Sequence, residues 1–400
     1  MIVIQTVIFV ANLLLFLNNT LIIISQNILY RQITYFPNLL FHILLLFDFR
    51  LCLKIIKIAE TDSKHEMKYE SLNKLYMNNS RKKKSVYSFL IPFFILFLVG
   101  CESEKVIIKN PIIDGYYADP SIIFHDGLYY IYATKDPWGG DDLAVFETSD
   151  FRNFTTHEIN WPTKEACTSP TSGDSKVWAP SVIKGNDGKF YMYVSVGSEV
   201  WAGISDNPLG PWENMKNDNS PLIERNMFPG YHMIDAEAFI DDDGQAYLYW
   251  GSGLNWVNGA CFGVKLAPDM HTFMGDPENI TPPNFFEAPV MFKKDEIYYL
   301  MYSDGKAIDA TYKIRYSVGE TPFGPWKEGK NSPVLQTTAD STIIGPGHNT
   351  VFQKDGQYYI LYHKIFPQTD DYVLRQLCID SLNFDSEKNI EKIRSNGIIF

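Results

Sequence analysis

One hydrophobic pattern recurs five times along the chain. It appears in "ADPSIIFHDGLYYIYAT" from Ala118, "WAPSVIKGNDGKFYMYVS" from Trp178 and "MIDAEAFIDDDGQAYLYWGSG" from Met233, then in "EAPVMFKKDEIYYLMYS" from Glu287 and "GHNTVFQKDGQYYILYH" from Gly347. A short apolar stretch leads into a turn, and the turn into an aromatic stretch. The turn is usually Asp-Gly, a pair that closes tight hairpins, so each copy predicts two antiparallel strands. Between the copies lies a weaker pattern: "VFETSDFRNFTTHE", "AGISDNPLGPWENM", "GVKLAPDMHTFMGD", "RYSVGETPFGPWKEG" and "QLCIDSLNFDSEKN". It adds strand, turn and strand again. Four strands per unit and five units predict an all-β fold, a five-bladed β-propeller over residues 110–400.

The innermost strand of a propeller blade runs along a central channel, so equivalent strand starts converge on one mouth. Here those starts carry Asp119, the pair Trp178 and Ala179, Asp235, Glu287 and His348, spaced roughly 52 to 61 residues apart. A purely structural repeat would place small or apolar residues there. Three carboxyls in a partly enclosed pocket repel one another, so one is expected to keep its proton near neutral pH while another stays ionised. Glycoside hydrolysis needs that division: one carboxylic acid protonates the leaving oxygen, and a carboxylate activates water or attacks carbon. Residue types alone do not assign the roles.

The series "ADPSI", "VWAPSV", "MIDAEAFIDDDG", "FFEAPVM" and "GPGHNTVF" resembles, in order, the motifs of glycoside hydrolase family 43. The resemblance implies an inverting hydrolase of neutral plant-type glycans, cleaving α-L-arabinofuranoside or β-D-xyloside linkages, with galactan-acting members as an alternative. It implies Asp119 as general base, Glu287 as general acid, and Asp235 as the acid that orients Glu287 and raises its pKa. His348 is expected near the channel centre, ordering water or holding a structural calcium ion through water; no cofactor is required for the chemistry. Arg375, in "YVLRQLCID", aligns with an arginine that reaches sugar hydroxyls in the family, a solvated strand arginine being the other reading. Trp178 is expected to stack on sugar. Phe286 is a second candidate for that role, although core packing suits it better. Trp138 and Trp256 lie in Gly-rich loops at the rim, and "CTSPTSGDSK", from Cys167 to Lys176, is expected to block one end of the groove. A non-catalytic, surface-held glycan-binding propeller is the competing class; it would not need all three acids.

Charge narrows the partners. Residues from Cys101 onward carry 24 Lys and Arg against 42 Asp and Glu. Neither nucleic acid nor anionic pectin would release counterions to a surface of this sign, so the expected partner is a neutral oligo- or polysaccharide, bound by a monomer. Cys167, Cys261 and Cys378 have no framework or metal spacing, and free thiols are expected.

The first hundred residues are basic and apolar. In "RKKKSVYSFLIPFFILFLVGC" a basic cluster precedes an apolar run ending in Leu-Val-Gly-Cys, the order of a secretory signal, and it resembles a bacterial lipobox. That resemblance implies a signal peptide over 77–100, lipidation at Cys101, a tether over 101–109, and a cell-envelope location on the membrane. Residues 1–76 read as an over-extended frame beginning upstream of Met77.

Overall fold

The computed structural model describes residues 107–367, 373–395 and 397–399. The signal, the lipidation site Cys101 and the upstream frame lie outside them. Five antiparallel sheets follow one another in chain order. The first pairs Tyr117–His125, Leu128–Lys135, Ala144–Thr148 and Thr155–His157, and the second pairs Val177–Lys184, Phe190–Val196, Glu199–Ser205 and Glu213–Asn214. Glu237–Ile240, Ala246–Trp250, Phe262–Leu266 and Glu278–Asn279 make the third. The fourth is Glu287–Lys294, Ile297–Asp304, Lys313–Gly319 and Lys327–Glu328, with Leu335–Gln336 also paired to its third strand. This is the five-bladed β-propeller that the repeat predicts.

The fifth blade departs from the pattern. It has three strands, Gly347–Lys354, Gln357–Ile365 and Arg375–Leu382, and the fourth expected from "NFDSEKN" shrinks to an isolated bridge between Phe384 and Ile390. The outer edge is met instead by the start of the described chain. Ile107–Ile108 pairs with Ile398–Ile399, the Ile112 amide donates to the Leu377 carbonyl, and Asn110 bonds both backbone groups of Ile379. Ile107 and Ile108, expected in a polar tether, are therefore part of the fold. Asn110 and Ile112, just beyond them, bond the edge strand of the fifth blade, whose backbone groups would otherwise be unpaired.

The aromatic stretches explain the core. Each packs against the neighbouring blade, and five buried clusters fill the five interfaces of the ring. Tyr193 and Leu248 share one cluster, Tyr132 and Met192 a second, Ile131 and Leu361 a third, Met301 and Ile360 a fourth, and Tyr249 and Leu300 the fifth. Tyrosine suits this place because its body is apolar while its hydroxyl can reach a carbonyl, as Tyr132 does at Pro208 (2.6 Å) and Tyr302 at Pro283 (2.5 Å). Cys167, Cys261 and Cys378 are buried free thiols, and burial raises each of them.

At the channel mouth the inner strands are bulged. Register shifts occur after Ala118, Trp178, Glu287 and Gly347, and left-handed backbone falls at Asp119 (φ 49°), Ala179 (44°), Asp235 (59°), Ala288 (57°) and His348 (39°). Side chains from the preceding blade hold four of these residues by their N–H groups. Ala179 donates to Thr134 (2.8 Å), Asp235 to Ser195 (3.0 Å), His348 to Ser303 (2.9 Å) and Asp119 to His363 (3.3 Å). The acceptors all end aromatic strands, so the ring is bonded from blade to blade at the depth where the acids sit. Bulges of this kind re-aim side chains, and strained backbone collects where structure around it fixes it.

Candidate active site

The bulge register corrects one expectation. Asp119, Asp235 and His348 share the bulged position, whereas in the fourth blade Ala288 occupies it and Glu287 stands one residue earlier, level with Trp178. The side chains divide accordingly into two groups.

The first group surrounds Asp119, which is buried. Its Oδ1 accepts from Arg375 Nη1 at 3.0 Å and lies 3.3 Å from His348 Nδ1, while its Oδ2 accepts from Thr134 Oγ1 at 2.8 Å. Burial alone would raise the Asp119 carboxyl, but Arg375 and the charged His348 outweigh it and hold it well below the usual carboxylate range. His348 Nδ1 is also 3.8 Å from Asp235 Oδ2. Burial opposes the imidazolium, yet Asp235 and Asp119 together lift its pKa to about 9. Asp235 itself is pushed up to about 8, by burial first and then by repulsion from Glu287 and Asp119, against the pull of His348.

The second group surrounds Glu287. Ser252 Oγ donates to one carboxyl oxygen at 2.8 Å and the Tyr312 hydroxyl to the other at 2.7 Å. Those bonds favour the ionised form, but burial prevails and the pKa of Glu287 is raised. Ser252 and Tyr312 thus orient Glu287, a task expected of Asp235, whose nearest ionic partner is His348. The four groups form a graded set: one carboxylate held ionised, one imidazolium, and two carboxyls biased towards the protonated form.

Arg375 is not a solvated strand residue. It is 3% exposed, and Asp136 grips it through Nη2 (2.6 Å), Nε (3.0 Å) and its backbone N–H (2.7 Å). Trp138 covers its guanidinium at 5.0 Å. The arginine therefore belongs to the machinery of Asp119. Asp136 escaped the sequence reading because it lies in an irregular connection, as does Tyr312, and Ser252 because it lies in a two-residue strand paired with Tyr231–His232. Thr134, Ser195, Ser303 and His363 carried a signal, since all occupy the same place in the repeat.

A cleft of about 490 Å³ opens over these groups, walled by Trp138, Trp178, His232, Trp256 and Phe286. Trp178 is half-buried and meets His232 edge-on at 6.2 Å. Burial lowers His232 to about 4, so its ring is neutral at the cleft wall. Phe286 is packed, as expected, yet it also borders the cleft and stacks on Trp256 at 6.0 Å. From the 167–176 loop, Ser175 and Lys176 reach the cleft, and the buried Glu199 ties that loop down by accepting from Ser169 (2.7 Å) and Thr171. A larger, shallow groove beside Lys109 and Lys364 has no acidic lining. Among the described residues no group of three or more His, Cys, Asp or Glu is placed to ligate a metal directly. No step below passes through an ion.

The sequence profile of Glycosyl hydrolases family 43 matches residues 108–389. The chain belongs to this family. A Beta-D-galactofuranosidase of Aspergillus niger is 31% identical over 76% of the chain and 92% of its own length. A Beta-xylosidase of Xylanibacter ruminicola is 24% identical over 70% and 97%, and an Arabinoxylan arabinofuranohydrolase of Bacillus subtilis 26% over 71% and 64%. A solved structure, of a thermostable family-43 glycoside hydrolase, is 28% identical, with a TM-score of 0.59 over 72% of this chain and 96% of that one. The family 43 chain is an O-glycosyl hydrolase acting on carbohydrate.

Proposed function

We propose that this family 43 enzyme cleaves neutral plant-type glycans with inversion, releasing α-L-arabinofuranosyl or β-D-xylosyl residues. One observation carries the reading: Asp119 is held ionised while Glu287 is held towards its protonated form, and the two have separate sets of partners. In the proposed step, a water between Asp119 and the sugar attacks the anomeric carbon and gives a proton to Asp119. The glycosidic C–O bond breaks as Glu287 O–H protonates the departing oxygen. Asp119 ends protonated and Glu287 ionised, and exchange with solvent restores both. His348 and Arg375 stabilise the carboxylate before it takes the proton.

The substrate class rests on the acidic surface, the aromatic cleft walls and the named relatives. A second reading has its own support: the Aspergillus niger relative at 31% identity is named a Beta-D-galactofuranosidase. Rings of α-L-arabinofuranose and β-D-galactofuranose share their hydroxyl configuration, so one site can accommodate both. We also propose that Cys101 is lipidated and holds the enzyme at the cell envelope.

A panel of nitrophenyl α-L-arabinofuranoside, β-D-xyloside and β-D-galactofuranoside identifies the sugar. Proton NMR of the first product then tests the mechanism: the anomer opposite to that of the substrate is expected before mutarotation. The same anomer would refute Asp119 as base.

A further inference from the structure

The connection between Ser252 and Cys261 is the least relaxed stretch of the cleft wall. Asn255 (φ 54°), Trp256 (61°) and Asn258 (52°) all have left-handed backbone, which β-carbons resist. Two glycines hold the stretch in place. A side chain on Gly253 would collide with the Phe286 ring and one on Gly259 with the Phe286 backbone, so the loop is pressed onto that residue at both ends. Its conformation puts apolar surface into water: Trp256 is 37% and Val257 56% exposed, and Leu254 is exposed beside them. Trp256 lies nearly parallel to Phe286, at 15°. Strain combined with exposed apolar side chains at a cleft marks a surface kept for a ligand.

The position of this surface identifies the ligand. Phe286 directly precedes Glu287, and Ser252, which begins the loop, donates to Glu287. Trp138 lies on the other group, over the Arg375 that donates to Asp119. In an acid-assisted displacement the leaving oxygen is at the acid and the attacking water at the base. The sugar that departs must therefore lie against the wall that carries the acid. We propose that Trp256, backed by Phe286, is the stacking platform for the leaving-group sugar of the glycan, and so selects the chain from which the terminal sugar is cut. The proposal rests on Glu287 as the acid. A flat aromatic face suits a neutral sugar ring, whose axial C–H groups are apolar.

The test compares two substrates of the wild type, Trp256→Ala and Trp256→Phe enzymes. One is a neutral oligosaccharide, arabinoxylo-oligosaccharide or xylohexaose, whichever is turned over. The other is the matching glycosyl fluoride, which has no leaving sugar and needs no proton on departure. For Trp256→Ala the loss in kcat/KM on the oligosaccharide should exceed that on the fluoride by about tenfold, equal to about 1.4 kcal/mol, chiefly through KM. Trp256→Phe should recover most of that ratio. Equal losses on both substrates, or an unchanged ratio in a folded variant, would overturn the platform. Glu287→Ala separates this outcome from a failure of the underlying reading: it should spare the fluoride relative to the oligosaccharide whether or not Trp256 stacks, and equal losses there would remove Glu287 as the acid.

Discussion

Replacing Arg375 with Met tests whether this arginine sets the charge of Asp119. The guanidinium donates to Asp119 at 3.0 Å inside a buried cluster. With charge centres roughly 4 Å apart and an effective dielectric of about 20, the attraction is about 4 kcal/mol. At about 1.36 kcal/mol per pKa unit that corresponds to roughly three units. His348 remains and water fills part of the space, so a rise of about 1–3 units in the pKa of Asp119 is expected, in line with ordinary shifts beside a single opposite charge. Asp119 must be ionised to take a proton from water. Its lowered pKa keeps the acid limb of the kcat/KM profile at low pH in the wild type, and the substitution should move that limb towards neutrality. The assay is kcat/KM for a nitrophenyl glycoside from pH 3 to 9. Stability needs its own control, because the variant leaves Asp136 buried with a charge and no cation, a defect that costs about 3–5 kcal/mol. The double variant Arg375→Met with Asp136→Asn removes that charge; it should recover part of the stability and keep the displaced limb. A folded variant with an unmoved acid limb and only a raised KM would refute the reasoning and return Arg375 to sugar binding alone.

Three further outcomes follow from the same geometry. Asp119→Ala should abolish turnover of every glycoside, whereas Glu287→Ala should retain more activity on aryl glycosides with acidic leaving groups than on natural linkages; equal losses on both would exclude Glu287 as the acid. The melting temperature should fall between pH 6.5 and about 9. His348 has a folded pKa raised to about 9, so its contribution is complete below its unfolded value of about 6.5 and is lost as pH rises through the folded one, and the raised pKa of Asp235 acts in the same direction. His348→Gln should flatten this slope in thermal melts, and an identical slope would contradict it. Cys101→Ala should no longer incorporate labelled fatty acid in cells; persistent labelling would place the anchor elsewhere.

Much of the architecture was legible because a propeller repeats itself. Five copies of strand, Asp-Gly turn and aromatic strand reveal the blades, and alignment of the copies brings Asp119, Asp235 and His348 to one mouth. Glu287 was found by type but misplaced by one residue, since spacing alone does not show that the bulge of the fourth blade falls on Ala288. The partners that tune the acids were harder to see. Asp136 and Tyr312 lie in connections without periodicity, and nothing in their neighbours' pattern aims them at Arg375 and Glu287. Arg375 could be read as a solvated strand residue because its cover, Trp138 and Asp136, comes from the far end of the chain. The pairing of Ile107 and Ile108 with Ile398–Ile399 left no trace, for a two-residue strand has no alternation to detect.

The seam between the first and fifth blades has a consequence for biosynthesis. Asp119 lies in the first blade to be made, yet His348, His363 and Arg375, which give it its charge and backbone anchor, all belong to the last. The same interface is latched by Ile107–Ile108 against Ile398–Ile399. A nascent chain with four blades complete already holds Glu287 with Ser252 and Tyr312, but its Asp119 has none of those three neighbours. Hydrolytic power is thus withheld until the final hairpin docks, and activity reports ring closure rather than the folding of any one blade.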